Sequence, residues 1–352
     1  MTALKKKVLA ALRRVEDPDL KKDLVSLGMI DQLHIDQTTI SFTIILTTPA
    51  CPLQEMIKQA CIQAIRDQVT DDFEIVITFT SKVTSRRSKP SILPGVKNII
   101  AIASGKGGVG KSTIATHLAL ALSSHGAAVG LLDADIFGPS IPIMWGCETT
   151  KPTVVKEEGK HLIIPINRHN VKLLSIGFLS NMQEAIVWRG PMASAAFKQL
   201  LQDADWGALD YLLIDLPPGT SDIHLTLVQT VSITGAVVVT TPQKIALIDA
   251  IKAIAMFQKE QIQVPILGLI ENMSYFHTGK EDETNLHYIF GKDGGKRLAE
   301  KASIPFLGQI PLLPTICWQG DLGTIPTIIH FKKIAEMLAQ QVAIQNATFN
   351  LI

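Results

Sequence analysis

The spacing of apolar side chains divides the chain into two stretches with different rhythms. Over residues 4–15 apolar and basic positions recur at helical spacing, and Asp17-Pro18-Asp19 stops them. The runs 30–35 and 39–47 read as strands, the second rich in β-branched side chains. Pro52 suits the first turn of a helix over 53–69, and alternation over 73–80 supplies another strand. These elements predict a small α+β domain over residues 1–80, a size able to fold alone. Residues 81–95 lose all periodicity; with Lys82, Arg86, Arg87, Lys89, Pro90 and Pro94 they read as a solvated linker.

From residue 96 to 352 short apolar runs alternate with helical patterns, which predicts a doubly wound, mostly parallel α/β sheet. Strands are expected over 98–103, 128–132, 211–215, 235–240, 266–270 and 306–310, with hairpin-like strands within 157–172. Helices are expected over 113–122, 244–258, 294–301 and 328–343, and one opening at Trp188-Arg189-Gly190-Pro191-Met192.

Between the strand 98–103 and the helix at Thr113 lies Gly105-Lys106-Gly107-Gly108-Val109-Gly110-Lys111-Ser112. It satisfies the phosphate-loop spacing of glycine, four residues, then Gly-Lys-Ser. The glycines let backbone N–H groups turn onto phosphate oxygens, and a helix N-terminus adds favourable potential. Lys111 then pairs with the β/γ-phosphates, Ser112 is an Mg²⁺ ligand, and Thr113 completes the nucleotide-binding candidates. Two strands end in carboxylates, one at Asp133-Ala134-Asp135 and one at Asp215, the latter placed to hold Mg²⁺ through water. No Asn/Thr-Lys-x-Asp guanine motif follows, which favours ATP.

Composition narrows the class further. Of 352 residues 47% are hydrophobic, enough for sizeable cores, and the net charge of +1 gives no sign of a nucleic-acid partner. Cys51, Cys61, Cys147 and Cys317 are scattered, as in a reducing compartment. No signal core opens the chain, and no apolar run approaches the ~18 residues of a membrane span. A soluble, cytoplasmic protein without stable membrane association is expected. The basic-apolar stretch 331–338 reads as an end helix packed on the sheet rather than a membrane anchor.

Several motifs resemble known families. Lys106, directly after the first glycine, resembles the deviant phosphate loop of the MinD, ParA and nitrogenase iron-protein group. That resemblance implies a homodimer in which Lys106 acts in trans on the partner's phosphates. Asp133 to Ser140 resembles switch I of that group, which implies that an aspartate polarises the attacking water: Asp135 first, Asp133 second. Leu216 to Asp222 resembles switch II, where Gly219 offers a backbone N–H to the γ-phosphate, and Asn272 falls where related ATPases read adenine. In the first domain, Asp17-Pro18, Val25 to Met29 and Thr48 to Pro52 resemble the small iron–sulfur assembly domain, whose recurrent functional residue is a cysteine ahead of a helix, here Cys51. Cys51 reads either as a thiolate favoured by a helix N-terminus or as a small apolar filler. Cys61 reads as core.

Together these motifs closely resemble the Mrp/ApbC family of ATP-binding iron–sulfur cluster carriers, over essentially the whole chain. The resemblance implies slow ATP hydrolysis coupled to holding a cluster at a dimer interface and passing it from scaffold proteins to apo-proteins. One departure stands out. Family members commonly carry Cys-x-x-Cys after the Ser-Tyr-Phe segment, whereas residues 277–287, from His277 to His287, contain no cysteine. The usual thiolate ligands are therefore missing, and Cys51 of both protomers is the replacement candidate. His277 and His287, and the single thiols Cys147 and Cys317, are lesser possibilities. Two other functions share the ATPase half: a positioning or partition ATPase, and a scaffold without its own cluster.

Overall fold

A computed structural model of the chain describes residues 3–69, 73–85, 92–136, 138–157, 159–178, 190–277, 286–325 and 328–349. It forms two compact units, Met1–Thr84 with Ala339–Ile352, and Ser85–Leu338. Of the basic stretch read as a linker, Arg86, Arg87, Lys89 and Pro90 lie outside the described residues, as do Phe137, Trp188 and Arg189.

In the first unit, helix α1 (Ala3–Leu12) packs on helix α2 (Gln54–Gln68), and three strands line up as β1 (Ile30–Ile35), β2 (Thr39–Leu46) and β3 (Glu74–Ser81). β1 and β2 are antiparallel, whereas β2 and β3 run parallel because α2 crosses between them. Alternation along β2 buries Ile40, Phe42, Ile44 and Leu46 against Val8, Leu12, Ile57, Cys61 and Ile65. α1 is shorter than its apolar spacing predicts, because Glu16–Asp17 leaves the helix to pair with Lys22–Asp23.

The second unit is built on eight strands. In chain order they are β4 (Val96–Ser104), β5 (Val129–Asp133), β6 (Ile166–Arg168), β7 (Val171–Ser175), β8 (Leu209–Asp215), β9 (Gly235–Thr240), β10 (Ile266–Glu271) and β11 (Phe306–Gln309). In space they are ordered β6-β7-β5-β8-β4-β9-β10-β11, parallel throughout except for the β6–β7 hairpin. A separate hairpin pairs Thr153–Glu157 with Lys160–Ile164. The central strands are buried on both faces, which explains their unbroken apolar runs.

Around this sheet lie α3 (Lys111–Ser124), α4 (Ile141–Met144), α5 (Gly190–Gln202), α6 (Asp222–Thr230), α7 (Lys244–Gln258), α8 (Gly294–Lys301) and α9 (Pro314–Asp321); α10 (Ile329–Phe349) begins in this unit, and its residues from Ala339 belong to the first. α6 and α9 escape a reading by periodicity. α9 has no buried residue to set an apolar stripe, and α6 is opened by a Ser221/His224 capping box in which histidine replaces the usual Glu or Gln. α10 continues past the expected end at Ala343 because Asn346, fully buried, donates to the Thr84 carbonyl at 3.0 Å.

The burial pattern of the first unit is directly testable. Phe42→Ala should lower stability by about 3–5 kcal/mol, and Val76→Ala, on the open face of β3, by less than about 1 kcal/mol. Urea unfolding of the full chain checks the difference; similar losses would contradict the assigned face.

Candidate functional site

β4 ends at Ser104, β5 at Asp133, β8 at Asp215 and β10 at Glu271, so four strand ends open on one crevice. Doubly wound sheets bind ligands at this position. The glycine loop leads from β4 into α3, and its path is forced at two points. A Cβ on Gly105 would collide with the Asp249 carbonyl of α7, and Gly110 is left-handed at φ 84° with the Asn272 amide against it. Gly110 ends the loop as the residue before α3, whose N-terminus has no side-chain cap. Its first N–H groups are thereby left to face a ligand.

Lys111 turns inward. It is 6% exposed, with Nζ 2.7 Å from Asp215 Oδ1 and 3.6 Å from Asp135 Oδ2. Asp215 is wholly buried, and its Oδ2 meets no hydrogen-bond donor among the described residues. The Ser112 hydroxyl lies 3.4 Å from the same ammonium.

The carboxylates of Asp133 and Asp135 separate cleanly. Asp133 is fully buried; its Oδ1 accepts the Asp135 N–H at 3.1 Å, and its Oδ2 accepts the Ser175 hydroxyl at 2.9 Å and the Ile141 N–H at 3.3 Å. Burial and then the Asp215 charge push the Asp133 carboxyl upward, against the Ser175 bond and Lys111. Asp135, by contrast, lines the cavity. Ser175, which holds Asp133 in place, carries no motif and is invisible to a reading of the sequence.

The cavity has a volume of about 510 Å³. One end is walled by Lys106, Gly107, Gly108, Gly110, Lys111, Ser112 and Thr113; the other is largely apolar, with Met273, Pro311, Leu312, Leu313 and Ile316. Lys106 is exposed at the mouth. Val109 is buried, and its carbonyl accepts the Asn272 side-chain amide at 2.9 Å. Asn272 thus braces the loop as well as lining the cavity. Gly219, expected to face the γ-phosphate, donates its N–H to the Ser104 carbonyl at 2.8 Å. His224 steadies the same switch segment: its Nδ1 accepts the Ser221 N–H at 3.2 Å, and burial lowers its pKa to about 4, so it is neutral.

The cysteines do not gather. Cys61 and Cys147 are buried, and burial pushes their thiols up to about 12 and about 11. Of the two readings open for Cys51, its surroundings oppose the thiolate. The backbone N–H groups of Leu53 and Gln54 do favour its thiolate, but burial outweighs them and Asp17 and Asp19 add to it, so its pKa is raised rather than lowered. Cys317 is exposed on α9 and lines the nucleotide-sized cavity, a position that no sequence signal announced. Phe276–His277 pairs with Leu286–His287 so that His277 opposes Leu286, which puts the two histidines on opposite faces of the ribbon. Residues 278–285 between them lie outside the described residues. Among the described residues no group of three or more His, Cys, Asp or Glu is arranged to hold a metal ion, and no helix is long and apolar enough to cross a membrane.

Residues 95–346 match the family model described as NUBPL iron-transfer P-loop NTPase, and residues 5–76 match that described as iron–sulfur cluster assembly protein. The iron–sulfur cluster carrier protein of Synechocystis sp. is 44% identical over 325 residues, 92% of this chain and 90% of its own length. That of Escherichia coli K12 is 43% identical over 352 residues, 97% of this chain and 92% of its own length. Among solved structures, the nucleotide-binding protein from Archaeoglobus fulgidus in complex with ADP has a TM-score of 0.56 at 38% identity, covering 66% of this chain and 89% of that one.

The place of Cys317 in the cavity wall provides an occupancy reporter. ATP should slow its modification by a thiol reagent, and the protected fraction should vanish in Cys317→Ser. Peptide mapping after labelling reads both. An unchanged rate at saturating ATP would place the nucleotide elsewhere.

Proposed function

The chain belongs to the iron-transfer P-loop NTPase family and carries an iron–sulfur assembly unit ahead of the NTPase unit; from that premise we propose that it is an ATP-driven iron–sulfur cluster carrier. The observation that carries the reading is Lys111, buried in the phosphate loop and paired to the strand-end carboxylate of Asp215. A lysine so placed exchanges partners when nucleotide enters. The triphosphate brings several negative charges where Asp215 brings one, so the ammonium moves to the β/γ-phosphates, steadied by the loop N–H groups and the α3 N-terminus. The loop glycines and Thr113 hold the phosphates, and the apolar wall takes the nucleoside beside Asn272.

The donor set suits Mg²⁺. The Asp215 oxygen without a protein donor and the Ser112 hydroxyl are hard oxygen ligands, and they would hold the ion. Bound there, Mg²⁺ would neutralise charge on the phosphates. Asp135 is our choice for orienting the attacking water, because it faces the cavity while both Asp133 oxygens are engaged within the protein. Gly219 reaches the γ-phosphate only after leaving the Ser104 carbonyl, which would couple the nucleotide state to the switch segment. Lys106, exposed at the mouth, acts on the phosphates of a second copy in a homodimer.

The cluster is cargo, received from scaffold proteins and passed to apo-proteins in the cytoplasm. Cys51 of both protomers remains the ligand candidate, its thiol needing deprotonation on binding. A second reading is favoured by the thiols themselves: with two of four buried, the chain would act as an ATPase scaffold without its own cluster. Anaerobic reconstitution with iron and sulfide separates the two. Cluster in the wild type that is lost in Cys51→Ala supports the carrier with Cys51 as ligand, unchanged cluster content in Cys51→Ala removes Cys51 as ligand, and no retained iron or sulfide in the wild type supports the scaffold.

Lys111→Ala should abolish ATP hydrolysis. It should also cost the nucleotide-free protein about 3–5 kcal/mol, because Asp215 is left buried without its cation. Asp135→Asn should reduce kcat by roughly 10²–10⁴-fold, the range for loss of a positioned base. Lys106→Ala should impair both hydrolysis and ATP-dependent dimerisation in sedimentation experiments. Wild-type turnover in any of the three would refute the role assigned to it.

A further inference from the structure

One buried charge has no part in the chemistry above. Glu271, the last residue of β10, is wholly shielded from solvent. A carboxylate taken out of water persists only where donors surround it. Its Oε2 accepts the backbone N–H of Gly295 in the first turn of α8, and its Oε1 accepts Gln309 Nε2 at 2.8 Å at the end of β11. The same Gln309 amide donates at 2.9 Å to Asp293 Oδ1, on the left-handed residue that precedes α8. The close approach needs glycine at position 295, where a Cβ would stand 3.0 Å from the Glu271 Cβ and 3.1 Å from Oε2. A single side chain therefore fastens two strand ends and a helix start, and the helix dipole favours its charge.

Both strands run directly into the apolar end of the cavity. Asn272 and Met273 follow Glu271, and Pro311, Leu312 and Leu313 follow the end of β11. The two segments are laced together: Ile310 N–H to the Glu271 carbonyl at 2.9 Å, Ser274 N–H to the Ile310 carbonyl at 2.9 Å, and Leu312 N–H to the Tyr275 carbonyl at 2.7 Å. Met273 is left-handed at φ 54°, a conformation that a side-chain-bearing residue keeps only when its neighbours hold it.

We propose that Glu271 is a positioning residue for the nucleoside half of the nucleotide. It does not touch the ligand; it clamps the two wall segments at the separation that receives base and ribose. The phosphate end stands on β4 and α3, whereas the Glu271 carboxylate is bonded to Gly295 and Gln309. This role rests on the nucleotide reading above.

The test is calorimetric titration of ATP and of inorganic tripolyphosphate into the full chain, as wild type, Glu271→Gln and Gln309→Leu, with circular dichroism to verify folding. In Glu271→Gln the amide nitrogen must face a donor, so ATP should bind about tenfold or more weakly while tripolyphosphate stays within about threefold. KM should rise with kcat near wild type at saturating ATP, the signature of lost uniform binding. Gln309→Leu keeps the buried carboxylate but removes its side-chain donor, and should show the same split if Glu271→Gln does not fold. Unchanged ATP affinity in a folded variant, or equal weakening of both ligands, would overturn the proposal. A wild type that binds neither ligand would overturn the nucleotide reading and this inference with it.

Discussion

The crevice of the second unit depends on one buried ion pair. Asp133 and Asp215 are removed from water at the ends of adjacent strands, with Asp135 close behind. Such a cluster of carboxylates is strongly disfavoured unless a cation enters it. Lys111 is that cation, 2.7 Å from Asp215 and 3.6 Å from Asp135. The pair makes ligand entry an exchange of partners rather than a simple addition. Any anion that draws the ammonium away leaves those carboxylates without their cation.

Packing around the loop gives this pair its geometry. Gly105 lies against the α7 backbone, and Gly110 lies under Asn272. The loop is therefore held from two sides by elements distant in sequence, one following β9 and one following β10. The switch segment is held in turn, by Gly219 on Ser104 and by His224 on Ser221.

The four thiols follow the same logic of burial. Burial keeps those of Cys61 and Cys147 protonated, because the charged form cannot be solvated. Cys51 lies between the extremes, half-buried beside two aspartates. Cys317 alone of the four is exposed, and it opens on the nucleotide cavity rather than on the assembly unit. Cargo chemistry is therefore spread thinly over this chain, while its nucleotide chemistry is concentrated.

Much of the architecture follows from local pattern. Helices α7 and α8 begin and end where apolar spacing places them, and the central strands coincide with the apolar runs. The glycine loop and the strand-end aspartates were legible because their chemistry depends on spacing within a few residues. Helix α9 was not, since an element that buries nothing leaves no periodic trace. What local pattern could not decide is which group faces the cavity. Asp133 and Asp135 are two residues apart, yet a Ser175 hydroxyl 42 positions away holds one inward and leaves the other at the cavity. Lys111 finds Asp215 across 104 positions, and the thiol of Cys51 is set by burial rather than by the helix ahead of it. The sequence by itself determined most elements and the place of the phosphate loop, because both rest on neighbours along the chain. Only the tertiary structure decided the orientation, charge and access of the groups within, because those rest on neighbours in space.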